Sequence, residues 1–151
     1  MEYRLGNIKV QAEIRDNPDN KIQTPNDVTT QYQKLGEQTK EHLYAIFLNA
    51  SNEVLGDKLI ALGNHKQAPL DTQDIARTAV LVNAAAVILV HNHPSNKAEA
   101  TQEDVQATRN VQQALDPLSI DLLDHLIITR NQAYSMKAHR DKPFHEEGGN
   151  R

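Results

Sequence analysis

The chain contains no cysteine and no tryptophan among its 151 residues. The absence of cysteine excludes disulfide bonds, thiol catalysis and every zinc finger that is built on cysteine ligands. A metal ion in this protein would therefore have to be held by histidine, aspartate and glutamate side chains. The candidate metal sites are therefore clusters of those three residue types.

Long apolar segments and an excess of positive charge are also missing. The longest apolar run, residues 84–90, is far shorter than the roughly 20 residues that cross a bilayer. The charged N-terminus lacks the apolar centre of a signal peptide. The chain has 16 Lys and Arg residues and 20 Asp and Glu residues, which give a net charge of -4. Binding to nucleic-acid phosphates needs clustered positive charge. We therefore expect a cytoplasmic protein that binds neither membranes nor DNA directly.

Apolar periodicity predicts a fold of the mixed α/β (α+β) class, with a central mixed β-sheet flanked by helices. Strands are predicted at residues 8–14, 43–48, 54–61, 85–90, 120–129 and 133–136. Helices are predicted to start at Thr24-Pro25, at Asp71 or Thr72, and shortly before Val105. We divide the chain into an N-terminal strand-and-helix extension (1–36), a main domain (37–137) and a charged, disordered tail (138–151).

Two histidines follow the apolar run at 85–90, in the order His91-Asn92-His93-Pro94. Residues i and i+2 of a strand point to the same side, with Cα atoms about 6.6 Å apart, so both imidazoles can reach one point. Pro94 cannot continue a sheet ladder, which places the pair at a strand end. Asp104, near the start of the next helix, can add a carboxylate. Three protein ligands and one open position are typical of a catalytic zinc site.

Hydrolysis at such a site needs a general base and a donor for the oxyanion. Zinc lowers the pKa of a bound water to about 7. Glu41, before the strand at 43–48, and the hydroxyl of Thr101 are the candidates. Each has a structural alternative: Glu41 as a solvated charge at a strand start, and Thr101 with Asp104 as a capping box. We expect the cap and the metal to compete for the Asp104 carboxylate.

The sequence HNHPS at 91–95, followed by Thr101 and Asp104, resembles the JAMM signature of JAB/MPN-domain metalloproteases. The segments NAAAVILVHNHPS, LLDHLIIT and Glu41-His42-Leu43 are similar to the RadC-like branch, over residues 41–136. The family usually has serine where this chain has Thr101, so the hydroxyl is retained with one added methyl group. Longer RadC relatives carry an N-terminal helix-hairpin-helix domain, for which the first 40 residues leave no room.

The resemblance implies a JAB/MPN (cytidine-deaminase-like) architecture for residues 37–137. It implies Zn²⁺ bound by His91, His93 and Asp104, with Glu41 as the general acid/base and Thr101 supporting the tetrahedral intermediate. The implied function is a zinc metallopeptidase or isopeptidase. The alternatives are a DNA-repair-associated accessory protein and a scaffold without catalytic activity.

Two further features of the sequence lead to structural predictions. His125 follows Asp124 within an apolar strand, and we interpret the two as a buried Asp–His pair. The N-terminal strand could pair with another chain, although nothing in the sequence fixes an oligomeric state.

Overall fold

A six-stranded mixed sheet carries the fold, as the prediction of a mixed α/β class requires. The computed structural model describes residues 2–5, 8–16, 22–62 and 70–145. Its strands are β1 (Glu2–Leu5), β2 (Ile8–Gln11), β3 (Arg15–Asp16), β4 (His42–Leu48), β5 (Val54–Leu62), β6 (Ala86–Asn92), β7 (Asp121–Ile128) and β8 (Ala133–Ser135). The helices are α1 (Pro25–Tyr32), α2 (Thr72–Leu81) and α3 (Gln102–Leu115), with 3₁₀ helices at Gln33–Glu37 and Asp116–Leu118.

The order of strands in the sheet is β3-β5-β4-β6-β7-β8, and β1 pairs with β2 separately. β6 and β7 are parallel and are connected through α3, whereas the other neighbouring strands of the large sheet are antiparallel. A parallel pair needs a long crossover, usually a helix, and this crossover brings the start of α3 close to the end of β6. None of the helices in the described ranges is long and apolar enough to cross a membrane.

The central strand β6 is buried on both faces of the sheet. Val87 and Leu89 pack in the cluster that includes α2 and α3, while Ile88 and Val90 pack in the cluster that includes α1. Side chains of a strand alternate between its faces. Continuing this alternation puts His91 on the α3 face and Asn92 on the α1 face.

The segment predicted as an N-terminal extension contributes to the core. Val28, Tyr32 and Leu35 are buried against the sheet, and the Tyr32 hydroxyl donates a hydrogen bond to Asp57 on β5. Arg15 donates two further bonds of 2.6 Å to the same carboxylate. α1 begins where the sequence predicts a helix start, and the Asp27 carboxylate accepts from the backbone N–H of Thr24 (3.0 Å) in a capping box.

The segment after β8 differs from the predicted disordered tail. Residues 136–145 form consecutive turns, and His139 within them stacks on Tyr134 of β8 with ring centroids 4.0 Å apart. Pro143 is buried, and Phe144 packs against the core. Apolar and aromatic side chains within this charged segment give it tertiary contacts that composition does not reveal. Residues 146–151 of the predicted tail lie outside the described residues.

Gly36 is explained by a close approach of two backbone segments. A Cβ atom at Gly36 would lie 2.6 Å from the carbonyl carbon of Thr129, well inside any van der Waals contact. Backbone cannot move aside as a flexible side chain can, so we expect Gly36→Ala to destabilise the protein by about 1–3 kcal/mol. Thermal unfolding should show a midpoint about 3–10 °C lower. Lys34→Ala, at an exposed position of the same 3₁₀ helix, is the control, and equal midpoints for the two variants would contradict this explanation.

Candidate metal centre

The end of β6 and the residue after it bring two imidazoles together. Nε2 of His91 lies 2.8 Å from Nε2 of His93, and the two residues are 1% and 8% exposed. The backbone N–H of His93 donates to the Ile128 carbonyl of β7 (3.1 Å), which holds the chain beside the sheet as the strand ends. The predicted convergence of the i and i+2 histidines is therefore present in the structure.

Asp104, in the first turn of α3, faces both rings. Its Oδ1 is 3.1 Å from Nε2 of His91, and its Oδ2 is 3.1 Å from Nε2 of His93. The same Oδ2 accepts from the backbone N–H of Thr101 (2.9 Å), while the Thr101 hydroxyl accepts from the N–H of Asp104 (3.2 Å). The capping box and the approach to the histidines thus coexist, because one carboxylate offers several lone pairs.

Glu41 lies directly before β4, and the antiparallel pairing of β4 with β6 places it beside the histidines. Leu43 pairs with His91 in this register. The Oε1 atom of Glu41 is 3.9 Å from Nε2 of His91, and the Glu41 side chain is 17% exposed. The Glu41 carboxylate therefore lies beside His91 and is also accessible to solvent.

Asn92, which faces away from the histidines as expected, holds the segment that carries Glu41. Its side-chain oxygen accepts from the backbone N–H of His42 (2.6 Å), and its amide donates to the carbonyl of Lys40 (2.9 Å). Asn92 itself is fully buried. The residue between the two histidines therefore fixes the backbone on both sides of Glu41, a role that the sequence does not reveal without the pairing of β4 with β6.

The second ring nitrogen of His93 also has a hydrogen-bond partner. Nδ1 of His93 lies 2.9 Å from the carbonyl oxygen of Lys97, and because a carbonyl can only accept, this nitrogen carries the hydrogen. Asn96, in the left-handed region with φ of 63°, shapes the turn, and its side chain accepts from the backbone N–H of Arg130 (3.0 Å). Such partners orient the rings of metal-binding histidines.

His125 contacts His91, so the interpretation of an Asp124–His125 side-chain pair is wrong. Nε2 of His125 is 2.7 Å from Nδ1 of His91. Asp124 instead accepts from the hydroxyl of Ser135 (2.5 Å) and from backbone N–H groups, including that of His125. Neighbouring residues of a strand point to opposite faces, which separates the Asp124 carboxylate from the His125 ring.

An irregularity in β7 decides which of these two side chains faces His91. Val87 pairs with Leu122, but Ile88 pairs with Asp124, so one residue of β7 is left without a partner in the register. Such a bulge reverses the faces that the following residues occupy. His125 is thereby brought to the α3 face beside His91.

The ionisable groups of the cluster influence one another. Burial favours the neutral form of Asp104, but its hydrogen bonds with His91 and His93 outweigh burial and hold the pKa of this carboxyl well below its usual value. Burial disfavours the charged ring of His93, whereas hydrogen bonds with Asp104 and the Lys97 carbonyl raise its pKa. Burial lowers the pKa of His125 well below its usual value. The cluster therefore contains an ionised carboxylate at neutral pH, which suits a divalent cation.

The geometry is compatible with a tetrahedral metal ion. Two ligand atoms that each lie 2.0–2.1 Å from zinc are about 3.3 Å apart in a tetrahedral site. The observed separations among the two Nε2 atoms and the Asp104 oxygens are 2.8, 3.1 and 3.1 Å. Glu41, His91 and His93 also offer three ligand atoms within 4.8 Å of one another. The described residues thus include a group that could hold a metal ion through nitrogen and oxygen ligands.

Known proteins resemble this chain along most of its length. The family model of the RadC-like JAB domain matches residues 22–141, a region that includes α1 and the whole of the histidine cluster. A "UPF0758 protein" from Carboxydothermus hydrogenoformans is 39% identical over 107 residues, which are 71% of this chain and 47% of that protein. Proteins of the same name from Methanosarcina mazei and Pelodictyon phaeoclathratiforme are 32% and 34% identical, over 81% and 80% of this chain and 54% and 55% of their own lengths.

The chain spans about half the length of the curated relatives that it matches. The family match covers the strands and helices that position His91, His93, Asp104 and Glu41. The expected similarity to the RadC-like branch is thereby confirmed. The chain belongs to the RadC-like JAB domain family.

Proposed function

We propose that the protein is a zinc-dependent hydrolase of the JAMM type that cleaves a peptide or isopeptide bond. The observation that carries this proposal is the convergence of two imidazole nitrogens and one carboxylate within 3.1 Å of one another. A second carboxylate, that of Glu41, lies 3.9 Å from one of those nitrogens. One carboxylate can thus serve as a ligand while the other moves protons.

His91, His93 and Asp104 are the proposed ligands. Asp104 is closer to the histidines than Glu41 is, at 3.1 Å against 3.9 Å from Nε2 of His91, and it touches both rings. It is also more deeply buried, with 4% of its side chain exposed against 17% for Glu41. When bound there, zinc would lower the pKa of a water molecule and polarise the scissile carbonyl. This assignment leaves Glu41 for acid–base chemistry.

Glu41 is the proposed general acid/base. Its carboxylate takes a proton from the attacking water and then donates it to the leaving amine, as a general acid must in the second half of the reaction. The bonds from Asn92 to the backbone around Glu41 limit the movement of this segment. A fixed position for the base removes part of the entropic barrier.

Thr101 is the proposed donor to the developing oxyanion. Its hydroxyl oxygen accepts from the N–H of Asp104, and this bond does not use the hydroxyl hydrogen. Thr101 is exposed, so the hydrogen can be directed towards a substrate. A donor aimed at an oxyanion can contribute about 2.7–4 kcal/mol of transition-state stabilisation.

Added zinc should stabilise the purified, metal-free protein against heat. A ligand that binds only the folded state contributes about 2.7 kcal/mol when its free concentration is 100 times Kd. For a chain of this size the midpoint of unfolding should rise by about 5–10 °C. The rise should disappear in His93→Ala, which lacks one proposed ligand. It should persist in the control His139→Ala, since His139 is exposed and stacks on Tyr134.

Metal analysis and peptide hydrolysis complete this test. A library of fluorogenic peptides and an isopeptide-linked lysine substrate should be cleaved by the zinc-loaded protein, inhibited by a chelator and cleaved again after zinc is restored. A parent protein that takes up no zinc and gains no stability from it would refute the proposed metal chemistry. Zinc binding without cleavage of any amide substrate would refute the proposed reaction.

A further inference from the structure

A continuous hydrogen-bonded chain connects α3, β7 and β6 behind the proposed metal ligands. The Thr108 hydroxyl donates to the backbone carbonyl of Asp104 (2.6 Å), and its oxygen lies 2.6 Å from Nδ1 of His125. Nε2 of His125 is 2.7 Å from Nδ1 of His91. Thr108 and His125 are both fully buried. Polar groups are costly to bury unless their bonding is complete, so this chain has a defined arrangement of hydrogens.

The direction of the bonds follows from the group at one end. The Asp104 carbonyl can only accept, so the single hydroxyl hydrogen of Thr108 is used there. The Thr108 oxygen then accepts from an N–H at Nδ1 of His125. A neutral imidazole with its hydrogen on Nδ1 accepts at Nε2, and this atom faces His91. His91 must therefore donate from its own Nδ1.

These bonds determine which nitrogen of His91 is available to bind a metal ion. With the hydrogen on Nδ1, Nε2 is left as the ring nitrogen that can bind a metal ion, and it is also the atom that contacts Asp104 (3.1 Å). The reverse arrangement has Thr108 donating to His125 and turns an N–H of His91 towards the cluster. The bond from Thr108 to the Asp104 carbonyl opposes that arrangement.

We propose that Thr108 and His125 are positioning residues that fix the ring orientation of His91 and keep a hydrogen on its Nδ1, which reserves Nε2 for metal binding. This inference rests on the proposed function for its purpose, although the hydrogen on Nδ1 follows from the contact with His125 and not from a metal ion. The chain also joins two ligands to each other, because it starts at the backbone of Asp104 and ends at the ring of His91. Thr108 lies one helical turn after Asp104 on α3, so the same helix supplies a ligand and the support for another ligand.

Zinc affinity of three threonine variants tests the proposal. Thr108→Val keeps the side-chain shape but removes the hydroxyl, and it should weaken zinc binding about 10–100-fold, the usual cost of losing a group that supports a ligand. Thr108→Ser keeps the hydroxyl and should bind zinc as the parent protein does. Thr78→Val is the matched control, since Thr78 is a buried threonine on α2 and should leave zinc affinity unchanged. Affinities are measured by competition with a chromophoric chelator.

Nitrogen-15 NMR of the imidazole rings gives a readout that a loss of general stability would not produce. In the metal-free parent protein, His91 and His125 should both carry hydrogen on Nδ1, and in Thr108→Val the His125 ring should no longer hold this tautomer uniquely. A folded Thr108→Val variant with parental zinc affinity would overturn the proposal, as would a parental His125 with hydrogen on Nε2. A parent protein without zinc affinity would refute the proposed function, and the metal-free NMR spectrum would still show whether Nδ1 of His91 and of His125 carries hydrogen.

Discussion

Glu41→Gln should leave zinc bound and reduce amide hydrolysis about 10²–10⁴-fold, the usual contribution of a general acid/base. Glutamine has nearly the same shape as glutamate but cannot take a proton from water. Glu41 lies 3.9 Å from Nε2 of His91, further than Asp104 does, so the proposed ligands are untouched by this substitution. The loss should fall on kcat, while zinc content remains that of the parent protein.

The matched control for this substitution is Glu37→Gln. Glu37 is exposed at the end of the 3₁₀ helix that precedes β4, so the same chemical change is made four residues upstream. It should leave kcat and zinc content unchanged. Loss of zinc from Glu41→Gln would instead identify Glu41 as a ligand, which is the alternative that its proximity to His91 and His93 allows. Full activity in Glu41→Gln would exclude it as the acid/base.

Asp104→Asn should separate the two roles of Asp104. The amide oxygen of asparagine can still accept from the backbone N–H of Thr101, so the start of α3 is retained and the free energy of unfolding of the metal-free protein should fall by no more than about 1–2 kcal/mol. The negative charge beside His91 and His93 is lost. Zinc affinity should fall by more than about 100-fold, beyond the range seen for groups that only support a ligand.

Asp71→Asn provides the same change at another helix start. Asp71 caps α2 by accepting from the backbone N–H of Asp74 (3.0 Å), and asparagine caps about as well as aspartate. This variant should match the parent protein in both stability and zinc affinity. If Asp104→Asn also bound zinc with parental affinity, Asp104 would be a cap alone, and the third ligand would have to be sought elsewhere.

Local sequence patterns were sufficient where the controlling interactions are also local. The apolar run at 85–90 and Pro94 determine a buried strand that ends beside His93. The period of two determines that His91 and His93 share a side. The capping boxes at Thr24 and Thr101 are contacts between residues three positions apart, so their patterns can be recognised without the fold.

The distance between Glu41 and the histidines could be expected from sequence only through the family resemblance. Fifty residues separate Glu41 from His91, and what joins them is the antiparallel register of β4 with β6. The hydrogen bonds between the Asn92 side chain and the backbone of Lys40 and His42 depend on the same register. Composition and periodicity describe single strands, whereas register is a property of two strands that meet in the folded state.

The environment of His91 was decided by tertiary structure alone. The sequence places Asp124 and His125 side by side and says nothing of the bulge in β7 that turns the His125 ring to the α3 face. Nor does it show that Thr108, one turn after Asp104, lies within 2.6 Å of that ring. The sequence by itself determined the strand end, the paired histidines and the start of α3, because each depends on neighbours in the chain. The support behind His91 needed β6, β7 and α3 packed together, because its hydrogen bonds join residues that are 17 and 34 positions apart.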